Sequence, residues 1–275
     1  MKVLIVGGGI AGIAAASALQ HYAQWEVTLI DKAPAWTNIG FSLALLPGGV
    51  RVLDHLGLGP AFRKNSLPIL TTNILDGNGN TIVRIPFTPL QKYGLTATIE
   101  RPVLHSLLTG SLQNVDIRMG TRVEQVEEEF DLVIAADGMR SPLRTMLLPK
   151  ETLKRYYWHL WVFWLPPATP LPPGISLSLS TKGAAYLFPT HNGRTAVGIT
   201  RKSAANATYA EHVDKKELLR HVGDMGHWIK GIVDMLPEKF ECYQDDLRYM
   251  QMKSWNAGRT VFIGDAQHGV SLISG

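Results

Sequence analysis

The chain has 275 residues, 45% hydrophobic and 18% charged, enough to bury the core of one large or two modest domains. Its net charge of +4 is spread without a dense basic run, which argues against a nucleic-acid partner. The single cysteine, Cys242, excludes an intrachain disulfide framework and a multi-cysteine metal site, and reads as a structural thiol.

The first predicted element is an apolar strand from Lys2 to Val6. Gly7, Gly9 and Gly12 follow with G-x-G-x-x-G spacing. In that pattern the first glycine permits a tight turn, the second lets the backbone approach a pyrophosphate, and the third lets the next helix pack closely. That helix, Ile10 to Tyr22, is rich in alanine, a strong helix former. Its N-terminus offers free amides and a positive dipole end to phosphate. A second strand, Glu26 to Ile30, ends at Asp31, nineteen residues after Gly12, where a carboxylate accepts from a ribose hydroxyl. Strand, helix, strand and acid in this order predict a Rossmann-like dinucleotide site.

Residues 40–59 read as a loop and an amphipathic helix. Residues 67–99 turn to short β-like runs around Asp76-Gly77-Asn78-Gly79, a hairpin signal. A helix from Pro102 to Gln113 and strands at Val115–Met119, Arg122–Glu127 and Asp131–Ala135 return to an α/β pattern. Residues 153–201 are strand-rich, with Pro166, Pro167, Pro170, Pro172 and Pro173 marking a rigid connector. Residues 211–236 are predicted helical, 245–253 a strand, and 259–264 a strand that rejoins the first sheet. The fold class is therefore α/β, a Rossmann-like domain interleaved with a smaller β-sheet domain. No signal peptide precedes the first strand and no apolar run is long enough to span a bilayer, so a cytoplasmic protein without membrane contact is expected.

Three strand ends carry the chemistry: residues 1–12, 130–144 and 258–269. Each is an apolar run that breaks into small residues, and ligands of open α/β sheets sit at the carboxyl ends of strands. Plainer roles stand beside each residue. Asp137 and Asp265 could serve only as turn-forming residues. Arg101 could be a surface residue at a helix start, and Arg140 and Arg144 a solvated pair. His268 reads as loop packing, His191 as an exposed turn residue, and Trp158, Trp161 and Trp164 as core or pocket wall. No cluster has metal-ligand spacing, and no Ser-His-Asp set is present.

The chain resembles the class A flavoprotein monooxygenases, the family of p-hydroxybenzoate hydroxylase and related aromatic hydroxylases. GGGIAG with Asp31 resembles the FAD fingerprint, IERPVLHSLL the helix led by Arg101, DLVIAADGMRSPLR the DG motif, and residues 255–268 the GD motif. The resemblance implies an FAD-binding domain at 1–66, 100–150 and 254–275, and a substrate domain at 67–99 and 151–253. It implies that Gly7, Gly9 and Gly12 cradle the FAD pyrophosphate, and that Asp31, with Lys32 beside it, binds the adenosine ribose. Arg101 would meet the phosphate or ribityl region, and Val123 would offer backbone contacts to adenine. Asp137 would lie near the flavin and the pyridine-nucleotide approach, and Asp265, after Gly264, would hold ribityl hydroxyls. The implied activity is hydroxylation of a small aromatic or other electron-rich substrate, with NAD(P)H and molecular oxygen consumed through a flavin hydroperoxide. No catalytic residue is assigned, and Tyr186 and Phe188 are candidate substrate-facing positions. Reductase or halogenase chemistry on the same fold, or flavin binding without turnover, stay open as alternatives. WVFWLP resembles a halogenase signature, with different spacing. The family pattern continues into a long helix beyond the GD motif, whereas this sequence ends at Gly275. The expectation is weak FAD binding, exposed apolar surface near 1–20 and 259–275, and self-association or a partner chain that covers it.

Overall fold

The computed structural model describes residues 1–37, 40–123, 129–167, 169, 171–204 and 207–270. The chain opens with β1 (Lys2–Val6), α1 (Ile10–Leu19), β2 (Glu26–Asp31), β3 (Ser42–Leu45), α2 (Pro47–His55) and α3 (Gly59–Lys64). Next come β4 (Leu67–Pro68), β5 (Thr71–Asp76), β6 (Thr81–Pro86), β7 (Ala97–Glu100), α4 (Arg101–Gly110), β8 (Val115–Met119), β9 (Leu132–Ala135) and α5 (Pro142–Leu147). The remainder is β10 (Lys154–Trp164), β11 (Ile175–Ser180), β12 (Gly183–Pro189), β13 (Thr195–Lys202), α6 (Lys215–Val222), α7 (His227–Asp234), β14 (Cys242–Tyr249), β15 (Asn256–Ala257), β16 (Thr260–Phe262) and α8 (Asp265–His268).

The chain folds as two compact units, one of Met1–Ile39, Pro102–Tyr156 and Arg248–Gly275, the other of Gly40–Arg101 and Tyr157–Leu247. The first unit holds a six-stranded sheet in the order β15-β16-β9-β1-β2-β8, parallel except at the β15 edge. In β1 and β2 four consecutive residues, Val3–Val6 and Val27–Ile30, are buried, the signature of strands covered on both faces. Leu4, Val6, Ile30, Val133, Ala135, Leu143 and Phe262 join in one core on that sheet.

The second unit holds a seven-stranded sheet, β14-β10-β13-β12-β11-β5-β6, and a three-stranded one, β3-β7-β4. The larger sheet alternates. Trp161, Phe163, Leu187, Val197 and Ile199 pack with Leu218, Val222, Ile229 and Val233 of α6 and α7. The β5–β6 hairpin forms at the predicted turn, where Asp76 Oδ1 accepts from the amides of Asn78 and Asn80, each at 2.9 Å. The predicted helical stretch 211–236 resolves into α6 and α7, separated where Gly226 takes φ +126°.

Several boundaries differ from expectation. Residues 40–66 group with the second unit, not with the first domain, because β3 pairs antiparallel with β7, Ser42 opposite Glu100. Residues 151–156 and 248–253 group with the first unit. α1 ends at Leu19 and α4 at Gly110, each about three residues short of the sequence reading. Of the strand expected at Arg122–Glu127, residues 124–127 lie outside the described residues, and Arg122 and Val123 are not in a strand. No helix among the described residues is long and apolar enough to cross a membrane. Val261 and Val270 are exposed near the described end of the chain, and so are Ile82, Val83 and Ile85 of β6.

Candidate functional site

The glycines of the first turn do three different jobs. Gly7 has φ +109°, and a Cβ there would overlap the Ala136 carbonyl, so only glycine lets β1 turn this close to the end of β9. A Cβ on Gly12 would overlap the Gly7 carbonyl, which presses α1 directly onto the turn. Gly9, the N-cap of α1, is the opposite case: a Cβ there would meet nothing within 4 Å. The space is open, beside a helix N-terminus whose first amides have no intrahelical acceptor.

Asp31 ends β2 beside this turn. Its Oδ2 accepts from the Gly8 amide at 2.6 Å and its Oδ1 from the Ala33 amide at 2.7 Å. A carboxylate has about four acceptor positions, so the anchored group keeps lone pairs for a diol. Neighbouring Lys32 is exposed.

The other two strand ends meet the first at the same edge of the sheet. Ala136 donates its amide to the Val6 carbonyl at 2.8 Å, and Ile263 to the Ala135 carbonyl at 2.9 Å. Gly264 has φ +57°, and a Cβ there would stand 2.7 Å from the Ala11 side chain. The turn before α8 therefore sits against the start of α1. Gly138 takes φ +85°, and the Ser141 hydroxyl caps α5 by accepting from the Arg144 amide at 2.9 Å.

Arg144 is 2% exposed, so the plainer reading of a solvated side chain does not hold for it. Its Nη1 donates to the Ala266 carbonyl and its Nη2 to the Met139 carbonyl, both at 2.6 Å. One buried guanidinium thus ties the turn after β9 to the turn after β16. Its Nε has no partner among the described residues, and burial lowers the guanidinium's proton affinity against the opposing pull of Asp137. Arg140, in contrast, is exposed.

Asp137 accepts from the Leu143 amide through Oδ2 at 3.2 Å, while its buried Oδ1 has no partner among the described residues. Burial raises its carboxyl above the usual range, opposed by the Ser141 hydroxyl, the Leu143 amide and Arg144. Asp265 opens α8 with an exposed side chain. His268, also exposed, faces Gln267 Oε1 through Nδ1 at 2.7 Å.

Val123 turns its side chain to the core of the first unit. Arg101 starts α4 but is counted with the second unit, its amide donating to the Phe41 carbonyl at 2.7 Å. Burial pushes the Cys242 thiol up to about 12, which keeps it a protonated, inert group at neutral pH. Among the described residues no set of three His, Cys, Asp or Glu side chains could hold a metal ion.

In the second unit, Tyr186 lies opposite Gly198, and Gly198 opposite Val162. Phe188 likewise lines up with Ala196 and Trp164. These residues share the sheet face turned away from α6 and α7. Burial raises the Tyr186 hydroxyl, partly opposed by a hydrogen bond with Thr200. The Arg194 guanidinium lies 4.0 Å from the centroid of the Trp164 ring, and its Nη1 is 3.5 Å from Glu100. His191 is exposed in the β12–β13 turn, as expected. Trp161 packs with α6 and α7, whereas Trp158 and Trp164 lie on the opposite face, where Leu160 and Val162 are buried.

Residues missed at the sequence level are Gly8, Trp36 and His105. His105 Nε2 lies 2.9 Å from the Gly8 carbonyl, and the Trp36 and His105 rings meet edge to face at 5.4 Å. No local pattern marks a pair of side chains whose partner lies in another element.

Comparison with known proteins was consistent along the whole chain. The family profile described as FAD binding domain matches residues 1–275. An FAD-dependent monooxygenase of Sarocladium schorii is 25% identical over 310 residues, covering 100% of this chain and 71% of the relative. A second, from Aspergillus versicolor, is 27% identical, and the chain spans 64% of its length. The 2-heptyl-3-hydroxy-4(1H)-quinolone synthase of Pseudomonas aeruginosa is 26% identical over 98% of this chain and 75% of that one. Among solved structures, Klebsiella pneumoniae HpxO with FAD and uric acid superposes with a TM-score of 0.83 at 21% identity, over 98% of this chain and 73% of that one. P. aeruginosa PqsL with 2-aminobenzoylacetate gives 0.81 at 20% identity, over 100% and 81%.

Proposed function

The chain belongs to the FAD binding domain family, and on that premise we propose that it binds FAD and takes part in monooxygenation of a small conjugated substrate. The observation that carries this reading is the open space at Gly9, beside the anchored carboxylate of Asp31 and between the ends of β1, β9 and β16. A pyrophosphate fits there because it needs backbone amides, a helix N-terminus and no Cβ in its path. The amides at the start of α1 would hold the phosphates, and Asp31 the ribose. Asp265, exposed at the head of α8, would accept from ribityl hydroxyls. The buried Arg144 would keep the turns of Asp137 and Asp265 in register.

FAD, when bound, supplies the redox chemistry, with NAD(P)H as electron donor and molecular oxygen as oxidant. The protein's part is to orient the substrate and keep water away from it. Tyr186 and Phe188 suit a flat organic molecule, with the Tyr186 hydroxyl as a hydrogen-bonding handle. The small ligands of two structural neighbours, uric acid and 2-aminobenzoylacetate, support a substrate of this size.

Flavin titration of the purified protein, followed by NADH and NADPH consumption in the presence of oxygen and a panel of phenols and heteroaromatics, tests the reading. Flavin binding that weakens in Asp265→Ala without loss of thermal stability, together with substrate-stimulated NAD(P)H oxidation and a hydroxylated product, is the expected result. Absence of flavin binding would overturn the cofactor reading. Flavin binding with NAD(P)H oxidation but no oxygenated product would overturn the monooxygenase reading alone.

A further inference from the structure

Three side chains, from a strand, a loop and a helix, close on a single residue, Gly8, and hold the peptides on either side of it. Asp31, at the end of β2, takes the Gly8 amide at 2.6 Å. His105 of α4, 5% exposed, places Nε2 2.9 Å from the Gly8 carbonyl oxygen. A carbonyl only accepts, so the imidazole carries a proton on Nε2 in this contact. Trp36, in the loop after β2, lies against the Gly8 Cα. A Cβ on Gly8 would overlap Trp36 Cζ3 and stand 3.0 Å from Cη2 and 3.2 Å from Asp31 Oδ2. Trp36 and His105 brace each other edge to face, with centroids 5.4 Å apart and planes at 68°.

This clamp has consequences for whatever occupies the space at Gly9. The Gly8–Gly9 peptide is planar and trans, so its C=O and N–H point in opposite directions. By holding the Gly8 carbonyl, His105 aims the Gly9 N–H away from α4. It also keeps a carbonyl dipole from turning toward an anion. Trp36 and Asp31 Oδ2 both lie within contact range of one point above Gly8. A sugar whose hydroxyl is accepted by Asp31 therefore has an indole as its next neighbour, on which its C–H face can pack.

Resting on the FAD reading above, we infer that Trp36 is a cofactor-contacting residue that walls the adenosine ribose beside Asp31. His105, by the same inference, is a positioning residue that acts through the Gly8–Gly9 peptide. Gly8 is then obliged to be glycine by a side chain of this chain, whereas Gly9 is obliged by the ligand.

ADP is the probe, since it carries the adenosine and pyrophosphate without the isoalloxazine ring and quenches no tryptophan by energy transfer. Calorimetry and tryptophan emission are recorded together. Wild-type protein binds ADP with a change in emission, and Trp36→Phe loses that change. Trp36→Ala weakens ADP about tenfold with an unchanged melting temperature. At His105 the pair Met and Gln is compared, similar in size but differing in the N–H donor. His105→Met weakens ADP about tenfold, and His105→Gln recovers most of the loss. A merely structural histidine would give two variants with equal ADP affinity once folded. Wild-type affinity in Trp36→Ala, His105→Met and His105→Gln, with the emission change retained in Trp36→Phe, overturns this inference and leaves the FAD reading standing. Failure of the wild type to bind either ADP or FAD overturns both.

Discussion

The two units build their surfaces from different material. In the first, the proposed cofactor site is made of backbone: glycines at Gly7, Gly9 and Gly12, and turns after β9 and β16 that approach one another closely. In the second, the sheet presents side chains that alternate along strands, with Tyr186, Phe188 and Trp164 on one face and Leu187, Val197 and Phe163 on the other. Where peptide groups touch, as at Gly7 and Gly12, such a site tolerates no added atom, because peptide groups cannot move aside as side chains do. A side-chain face can change many residues and keep its fold. The first unit should therefore be brittle where the second is forgiving.

The largest effect expected is from Gly12→Val, whose Cβ would enter the Gly7 carbonyl. It should lower stability by roughly 3 kcal/mol or prevent folding, measured by denaturant unfolding. Gly9→Val should unfold at the wild-type midpoint yet bind no flavin, since its Cβ meets only open space. A Gly9→Val protein that retains stoichiometric FAD would break the distinction between a glycine required by the fold and one required by the ligand.

Arg144→Met should follow. It leaves the Met139 and Ala266 carbonyls without their donor and is expected to lower stability by about 2 kcal/mol. If the guanidinium also holds the two turns in register, FAD affinity should fall even in conditions where the variant is fully folded.

Two carboxylates sharpen the comparison through pH. Asp137 in the first unit is raised by burial, so its native state takes up a proton more readily than the unfolded chain. Its contribution to stability is present below the ordinary carboxylate pKa of about 4 and is lost as pH rises through the higher native value. Asp137→Asn should therefore raise the melting temperature at pH 7, and the gain should vanish in acid. Asp224 in the second unit is the reverse: Arg201 and Lys182 hold it down to about 2. Its contribution is present above about pH 4 and is lost as pH falls toward 2. The pair is largely exposed, so Asp224→Asn should lower stability at pH 7 by less than about 1 kcal/mol. Thermal melts from pH 3 to 8 should separate the two variants by opposite slopes.

Gly198→Ala should have the smallest effect on the fold. Its Cβ would sit 3.7 Å from Leu160 Cδ1, an ordinary contact, between Tyr186 and Val162 on the face turned away from α6 and α7. Melting temperature and FAD affinity should stay at wild type, while the KM of any substrate that lies flat on this face should rise. A loss of flavin binding here would contradict the division of labour between the units.

Much of the first unit could be read locally. The β1 turn, α1 and Asp31 obey constraints that act over a few residues, so glycine spacing and strand length expose them. The strand ends at Asp137 and Asp265 were legible for the same reason. In the second unit the hairpin at Asp76 and the alternation near Tyr186 were readable, but the short strand β3 was not. Four residues beside a helix carry no distinct period, and their pairing partner β7 begins more than fifty residues later.

The sequence by itself thus determined the parallel sheet, the glycine turn after β1 and the acid that closes it, because each is a rule of backbone geometry between near neighbours. Only the tertiary structure decided that Arg144 is buried, that residues 40–66 join the second unit, and that Trp36 and His105 close on Gly8. Those outcomes depend on partners such as Ala266, β7 and Gly8. Side chains brought together from distant elements leave no periodic trace in the chain, and their meeting is set by packing alone.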